Sequence, residues 1–424
     1  MSFERSSLLR FYNLDLDVTS LAAPPARRHS AARRLWFTMR VVYYCLSLDS
    51  RYGGPPKTTI DLAVGMANAG HEVTLMTADV SDSKIPAIDA VNRGSLRIAV
   101  TPGPKLPFAT LTPGDAAKHD PHIQGAGAIH FIGVFDRTQI QVGSRARRLG
   151  VPYYVSLAGM LDDDCFSRKA WKKKVFMRLI GRRWLSRARA IHCTAEEELR
   201  QSSRFFDPRQ GVVIPNFVDI GPFASPPGPA LAREGFMFLK PEVPAILFLG
   251  RLHRIKNLEL LIDAAAELAR RDPGLAFSVV LAGPGEESYV AELRARAAAV
   301  GVADRLHFTG LVSGELKLSL LRAARVFAMP SLHENFGIAM VEGLLAGTPA
   351  VLTRGVKIWR ELESSGGATV TGDSAREFAD GLEEYVRDGS RASGAGGAAR
   401  RWALGFLEPR RVIEQFEAMY ARRG

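Results

Sequence analysis

Cysteine is scarce in this chain: Cys45, Cys165 and Cys193 are all there are among 424 residues. Three scattered thiols make neither a disulfide framework nor a structural zinc site, which excludes small cross-linked secreted domains and zinc-held modules. They fit a reducing cytosol. No run reaches the roughly 20 apolar residues that span a bilayer. The N-terminus lacks the apolar core of a secretory signal. A short internal repeat is missing too, as are a Ser-His-Asp arrangement and a close pair of carboxylates. Acidic residues are outnumbered, 44 against 56 Lys and Arg, for a formal net charge of +12. That balance calls for an anionic partner, either a phosphorylated ligand or an anionic lipid surface. Nucleic acid is not expected as the partner, because no zinc-finger, RNP or helix-turn-helix pattern is present.

What the chain has is apolar residues, 46% of the total and enough for two ordinary cores. Apolar runs recur at 72–77, 96–101, 128–132, 152–157 and 189–193, separated by helical or loop segments. A Pro/Gly-rich stretch from Gly221 to Pro229 has linker composition. A second alternation starts at Pro244 and runs to about 390. Alternation of this kind predicts α/β architecture, with parallel sheets covered on both faces. The expected division is an arm at 1–37, a first Rossmann-like domain at 38–218, a linker at 219–243, a second Rossmann-like domain at 244–405 and a closing helix at 406–424. The ligand then lies in the cleft between them, at the carboxyl ends of the strands. Ser393 to Ala399 reads as a small-residue loop. Residues 1–37 are polar and basic with no periodic apolar face, so either a disordered arm or a start site placed too early is expected. A chain beginning at Met39 should therefore unfold cooperatively at nearly the full-length temperature. A large drop in its calorimetric melting point would show that the arm packs on a domain.

The densest stretch is Ser331 to Gly343. The run Ala324 to Met329 predicts a buried parallel strand ending at Pro330, and from Gly337 the apolar spacing turns helical through Ile338, Val341, Leu344 and Leu345. Glu334 falls in the strand-to-helix turn, where a helix N-terminus offers free N–H groups and a positive dipole end to an anion. Gly337 lets a ligand approach the backbone. Glu342 lies within about 12 Å, at roughly 1.5 Å of rise per residue. Two carboxylates flanking an anion site suit a ligand that presents hydroxyls, then phosphates, then hydroxyls. A nucleotide-diphosphate sugar has that order.

Two Glu residues with seven between them, set in E-N-F-G-I-x-x-x-E-G-L-x-x-G-x-P, resemble the signature of the retaining family-4 glycosyltransferases of the GT-B fold. The resemblance extends upstream to Phe248-Leu249-Gly250-Arg251-Leu252 with Lys256-Asn257, and to Leu281-Ala282-Gly283-Pro284-Gly285. Downstream it includes Gly347-Thr348-Pro349-Ala350-Val351. It implies a cytosol-facing hexosyltransferase using a nucleotide sugar, two Rossmann-like domains, and a final helix that packs back on the first. Arg251 and Lys256, after Gly250, would hold the diphosphate, where departure of the leaving group puts negative charge. Glu334 would accept hydrogen bonds from the donor sugar, and Glu342 from the ribose. Backbone around Asn335, Phe336, Gly337 and Ile338 would cradle the phosphates. Gly283 and Gly285 would open the loop beside the base, which Val312 and its neighbours would contact. The resemblance further implies front-face attack, with the leaving phosphate taking the acceptor's proton, and neither a cofactor nor a metal. Gly53 and Gly54 follow the first strand, Met39 to Tyr44. They read either as a plain tight turn or, on the resemblance, as a loop that reaches donor phosphates or acceptor.

Departures from the pattern fall in the first half. Relatives carry His-x-His-Gly where this chain has His130-Phe131-Ile132-Gly133, so Ile132 takes the second histidine's place and His130 is expected in the core. Ala158 stands where relatives often have His or Arg. Acceptor residues therefore cannot be carried over. The implied acceptor is a lipid-linked or surface-polysaccharide saccharide, the alternatives being a small or phosphorylated acceptor and a weakened partner subunit. Asp162-Asp163-Asp164 reads as an acidic loop rather than a metal-binding Asp-x-Asp. From 168 to 189 the charge is wholly positive, with Trp171, Phe176, Leu179 and Trp184 interleaved. Such a segment either docks on the anionic inner face of the cytoplasmic membrane or simply turns its apolar residues to the core.

Overall fold

The computed structural model describes residues 38–49, 54–80, 95–104, 109–163, 165 and 170–422. The 1–37 arm, Gly53, Asp164, Arg168 and Lys169 lie outside the described residues. Seven strands form the first sheet: β1 (Arg40–Tyr44), β2 (Glu72–Thr77), β3 (Leu96–Val100), β4 (Ala128–Ile132), β5 (Tyr153–Ser156), β6 (Ala190–Cys193) and β7 (Gly211–Val213). Their spatial order is β3-β2-β1-β4-β5-β6-β7, and every pairing is parallel. Six more form the second: β8 (Ala245–Leu249), β9 (Ser278–Ala282), β10 (Leu306–Gly310), β11 (Val326–Met329), β12 (Ala350–Thr353) and β13 (Ala368–Thr371), in the order β10-β9-β8-β11-β12-β13. Parallel strands need helices on both faces, which is why β8, β9, β11 and β12 are buried at every residue.

Strand order reverses between β1 and β4 in the first sheet and between β8 and β11 in the second. At such a switch point neighbouring crossover helices lie on opposite faces, and a crevice opens at the strand ends. Leu249 of β8, Met329 of β11 and Ile132 of β4 all line one cleft between the two sheets.

The last helix, Pro409–Tyr420, begins with Pro at its first position, and the Glu408 side chain accepts from the N–H groups of Arg410 and Arg411. Its buried face (Val412, Phe416 and Met419) joins the core of the first sheet beside Tyr43, Leu62 and Met66. Tyr420 latches it there through Tyr154 Oη, which donates to the Tyr420 carbonyl at 2.9 Å, and through His130 Nδ1, 2.7 Å from Tyr420 Oη. His130 is fully buried. Because His192 Nε2 must donate to the Ile214 carbonyl at 2.8 Å, Ser156 Oγ donates to His192 Nδ1 at 2.6 Å. Nε2 of His130 in turn donates to Ser156 Oγ at 2.8 Å.

Burial holds the His192 imidazole down to about 4, and burial followed by the neighbouring His192 holds His130 well below the usual range. A folded-state value below the unfolded one makes the unfolded chain bind more protons between the two. Stability is then full above about pH 6.5 and falls as pH drops toward 4, by up to about 3 kcal/mol for His192. Urea midpoints measured at pH 7 and pH 5 should show this loss. A His192→Asn chain should show a smaller pH dependence, and an unchanged one would contradict the assignment.

The small-residue run Ser393 to Ala399 is helical, within Gly389–Phe406, and Asp388 caps that helix by accepting from Ser390 and Arg391 N–H. The loop expectation is thus corrected. These residues are small because a Cβ at Gly396 would sit 2.1 Å from the Gly347 carbonyl, and one at Gly367 would meet Ala399 at 2.3 Å. They let the helix lie close on its neighbours.

Candidate active site

Gly337, at φ 76°, turns the chain from the loop after β11 into helix Ile338–Ala346, and Gly347 at φ 86° closes that helix. Both are left-handed positions that favour glycine. The first-turn amides of the helix have no intrahelical partner and face the cleft. Across it stands the start of helix Gly54–Asn68, where Gly54, Pro55, Thr58 and Thr59 line the same cavity of about 410 Å³. Arg251 and Lys256 also line it, on the loop that follows β8. Two helix N-termini and two cations therefore converge on one space, which makes it strongly attractive to an anion.

Lys256 Nζ hydrogen-bonds Glu334 Oε2, and Glu334 Oε1 accepts from Gly337 N–H at 3.2 Å. Arg251 is exposed and has no carboxylate partner among the described residues. Burial pushes the Glu334 carboxyl up, but the Lys256 charge and the two hydrogen bonds outweigh it and hold the group below its ordinary range. Glu334 is therefore ionised at neutral pH and accepts hydrogen bonds; it is not poised as a general acid.

The structure brings Gly54, Gly250, Arg251, Lys256, Glu334, Asn335, Phe336, Gly337 and Ile338 onto the cavity. Glu342, Gly283, Gly285 and Val312 are not on it. Glu342 is buried one helical turn beyond, where its Oε1 accepts from Lys317 Nζ at 2.8 Å. For the glycines the structure shows a packing requirement. A Cβ on Gly283 would lie 1.9 Å from the Gly250 carbonyl oxygen, and one on Gly285 would lie 2.7 Å from Leu252 Cβ. Their bare backbones let the β9 loop pack under the β8 loop and so set the height of Arg251. Val312 is buried in the second core.

Several contacts across the cleft were invisible in the sequence. Asn335 Nδ2 donates to Thr194 Oγ1 at 3.0 Å, bridging the two halves. Glu198 is buried and accepts from the N–H groups of Gly159 and Thr194, at 2.6 Å each, which fixes the loops that meet the second half. Asp162 is fully buried, 3.3 Å from His333 Nδ1 and 4.0 Å from Lys357 Nζ, both on the second half. Within that acidic loop it is thus a cross-cleft ion-pair partner, while Asp163 pairs with Arg204. A buried Asp next to an exposed one leaves no trace in composition. Among the described residues no group of three or more His, Cys, Asp or Glu side chains is placed to hold a metal ion.

The basic segment forms helix Ala170–Phe176, a π-turn at Met177–Gly181 and helix Arg182–Leu185. Trp184 is buried against Phe131 and Tyr153, and Phe176 packs on Phe135. The exposed apolar residues are instead Trp171 (67%), Val175 (47%) and Leu179 (69%), four apart and therefore on one side. Among the described residues no helix is long and apolar enough to cross a membrane.

Two parallel-sheet α/β domains whose switch points share a cleft define the GT-B fold. The second half, 237–402, matches the model for "Glycosyl transferases group 1", and 53–216 matches that for "Glycosyl transferase 4-like domain". The chain belongs to the family-4 glycosyltransferases and is an enzyme of that class. It is 26% identical over 385 residues to the D-inositol 3-phosphate glycosyltransferase of Nocardia farcinica, covering 84% of this chain and 81% of that protein. Against the D-inositol 3-phosphate glycosyltransferase of Actinosynnema mirum it is 28% identical over 400 residues, covering 87% and 92%. Among solved structures, Alr3699/HepE of Anabaena, crystallised with UDP and glucose, superposes with a TM-score of 0.71 at 18% identity, covering 89% of this chain and 98% of that one.

Proposed function

We propose that this glycosyltransferase takes its sugar from a nucleotide-diphosphate donor and transfers it with retention of anomeric configuration. The observation that carries the reading is the convergence of two helix N-termini, Arg251 and Lys256 on the cavity that holds Glu334. In the transfer the sugar C1–O bond to the diphosphate breaks as an acceptor hydroxyl bonds to C1 on the same face. The hydroxyl proton passes to the departing phosphate oxygen. Arg251, with its free planar fork, meets the charge that develops on the phosphate, and Lys256 assists from its bond with Glu334. On this reading no cofactor is required. The ionised Glu334 accepts from donor-sugar hydroxyls, and Glu342, one turn into helix Ile338–Ala346, accepts from the ribose hydroxyls. A panel of UDP-, GDP- and ADP-sugars, scored by released nucleotide and by NMR of the product's anomeric proton, tests it. Inversion, or the absence of turnover with every donor, would overturn it.

For the acceptor we favour a lipid-linked or surface-polysaccharide precursor reached at a membrane surface. The support is the exposed Trp171, Val175 and Leu179 among Lys172, Lys173, Lys174, Arg178, Arg182 and Arg183. Apolar side chains with a basic surround suit the boundary of an anionic bilayer. Each cation near that surface contributes about 1 kcal/mol, less as salt rises. Replacing Lys172, Lys173 and Lys174 by Gln should therefore reduce sedimentation with anionic vesicles, with neutral vesicles binding poorly throughout. Turnover of a soluble acceptor analogue should be retained. Wild-type protein that stays in the supernatant with anionic vesicles at low salt would favour the second reading, a small phosphorylated acceptor. That reading is supported by the names of the Nocardia and Actinosynnema relatives.

A further inference from the structure

At the opposite end of the second sheet from the cleft, by the N-terminal ends of β8 and β12, lies a cavity of about 260 Å³. Four cations line it and no carboxylate does: Arg233 and Lys240 from the segment that joins the two sheets, Arg322 and Arg325 from the body of the second half. Elsewhere on that half several arginines are paired with carboxylates. Arg271, Arg296, Arg387 and Arg391 each hold a carboxylate within 3 Å. Here Arg322 is engaged by a carbonyl, that of Ala346 at 2.9 Å. Arg233, Lys240 and Arg325 have no side-chain partner among the described residues.

The position of Arg325 is the telling one. Its guanidinium lies against Gly389, so close that a Cβ there would be 2.6 Å from Nη1. Gly389 opens helix Gly389–Phe406, so a positive group sits at the positive end of an 18-residue helix. Asp388 at the same helix end accepts from Ser390 and Arg391 N–H and forms no ion pair with Arg325. Glu234 and Glu242, on the joining segment, are exposed and pair with none of the four. The Arg322 guanidinium lies against Gly347 on the same cavity, where a Cβ would be 3.3 Å from its Nη1. Gathering like charges beside a helix N-terminus is unfavourable unless an anion sits among them.

We propose that this cavity is a second anion site, separate from the donor cleft, for a small ligand bearing two or more phosphoryl groups. Two phosphoryl groups match four cations spread over two segments better than one does. The volume admits a pyrophosphate group or a small bisphosphorylated metabolite. A ligand there ties the segment joining the two sheets to the body of the second half.

Inorganic pyrophosphate is the probe, titrated calorimetrically into the full chain at constant ionic strength. Because the donor cleft also attracts diphosphate, two classes of site are expected, one weakened by Arg251→Ala. Arg325→Gln and Lys240→Gln should each weaken the other class by about tenfold or more, the effect of a charge-assisted hydrogen bond. Inorganic phosphate should bind that class more weakly than pyrophosphate. Both variants replace half-exposed or exposed cations, and unchanged melting temperatures would confirm that they fold. The proposal is overturned if Arg251→Ala removes all pyrophosphate binding. It is equally overturned if neither distal variant changes the isotherm, or if phosphate and pyrophosphate bind alike.

Discussion

Arg251→Ala is expected to lower kcat/KM for the donor by roughly 10- to 100-fold, or about 1.5–3 kcal/mol, the scale of one charge-assisted hydrogen bond. Arg251→Lys should recover only part of this, since an ammonium cannot present the planar fork. Lys256→Ala is expected to cost at least as much, for a second reason. Its Nζ is the cation paired with Glu334, and removing it leaves that carboxylate without a charge partner. Without Lys256 the Glu334 carboxyl should titrate higher, so the acid limb of the pH–rate profile should move to higher pH. Lys256→Ala should also lower the melting temperature, and adding Glu334→Gln should restore part of that loss. Arg251→Ala should do neither, because Arg251 is exposed and has no carboxylate partner among the described residues. Wild-type turnover in both alanine variants would remove these residues from the phosphate site. An unmoved acid limb in Lys256→Ala would break the link to Glu334.

The second large effect is expected from one methyl group. Gly283→Ala places a Cβ 1.9 Å from the Gly250 carbonyl oxygen, at a residue whose φ is 138°. The left-handed region costs a non-glycine residue roughly 1–2 kcal/mol. The overlap is with backbone rather than with a movable side chain, and overpacking adds roughly 1–3 kcal/mol. Together a loss of about 3 kcal/mol or more is expected in urea unfolding. Gly70→Ala supplies the comparison: its φ is 99° and nothing lies within 4 Å of an added Cβ. It should show the backbone cost alone. If the two alanines cost the same, close packing of the β9 loop on the β8 loop is not what requires glycine at 283. Donor turnover should fall with Gly283→Ala as well, because displacing Gly250 displaces Arg251.

Much of the fold was legible in order along the chain. Near-continuous apolar runs such as Val326–Met329 can only be strands buried on both faces, and their alternation with helical segments already implies parallel sheets. Local chemistry likewise placed Glu334 in a turn ahead of a helix start, because Gly337 and the change of apolar period mark that boundary within a few residues. The substitution of Ile132 for a histidine is a property of one position and needs no coordinates.

The remainder depends on contacts between residues far apart in sequence. Lys256 and Glu334 are 78 positions apart, and only the packing of the β8 loop against the β11 loop makes them partners. Gly283 and Gly285 look like a flexible loop until the Gly250 carbonyl is found against the one and Leu252 against the other. Ser393 to Ala399 has the composition of a loop and the packing of a helix, since close approach and flexibility both select small residues. Trp184 and Trp171 are alike as letters, yet one is buried and the other is exposed. Asp162 differs from Asp163 only through the neighbours that the second sheet brings to it. Periodicity and turn chemistry are local, so the sequence by itself determined the elements and the strand-to-helix turn that carries Glu334. Burial and charge pairing are set by long-range packing, so only the tertiary structure decided which side chains meet.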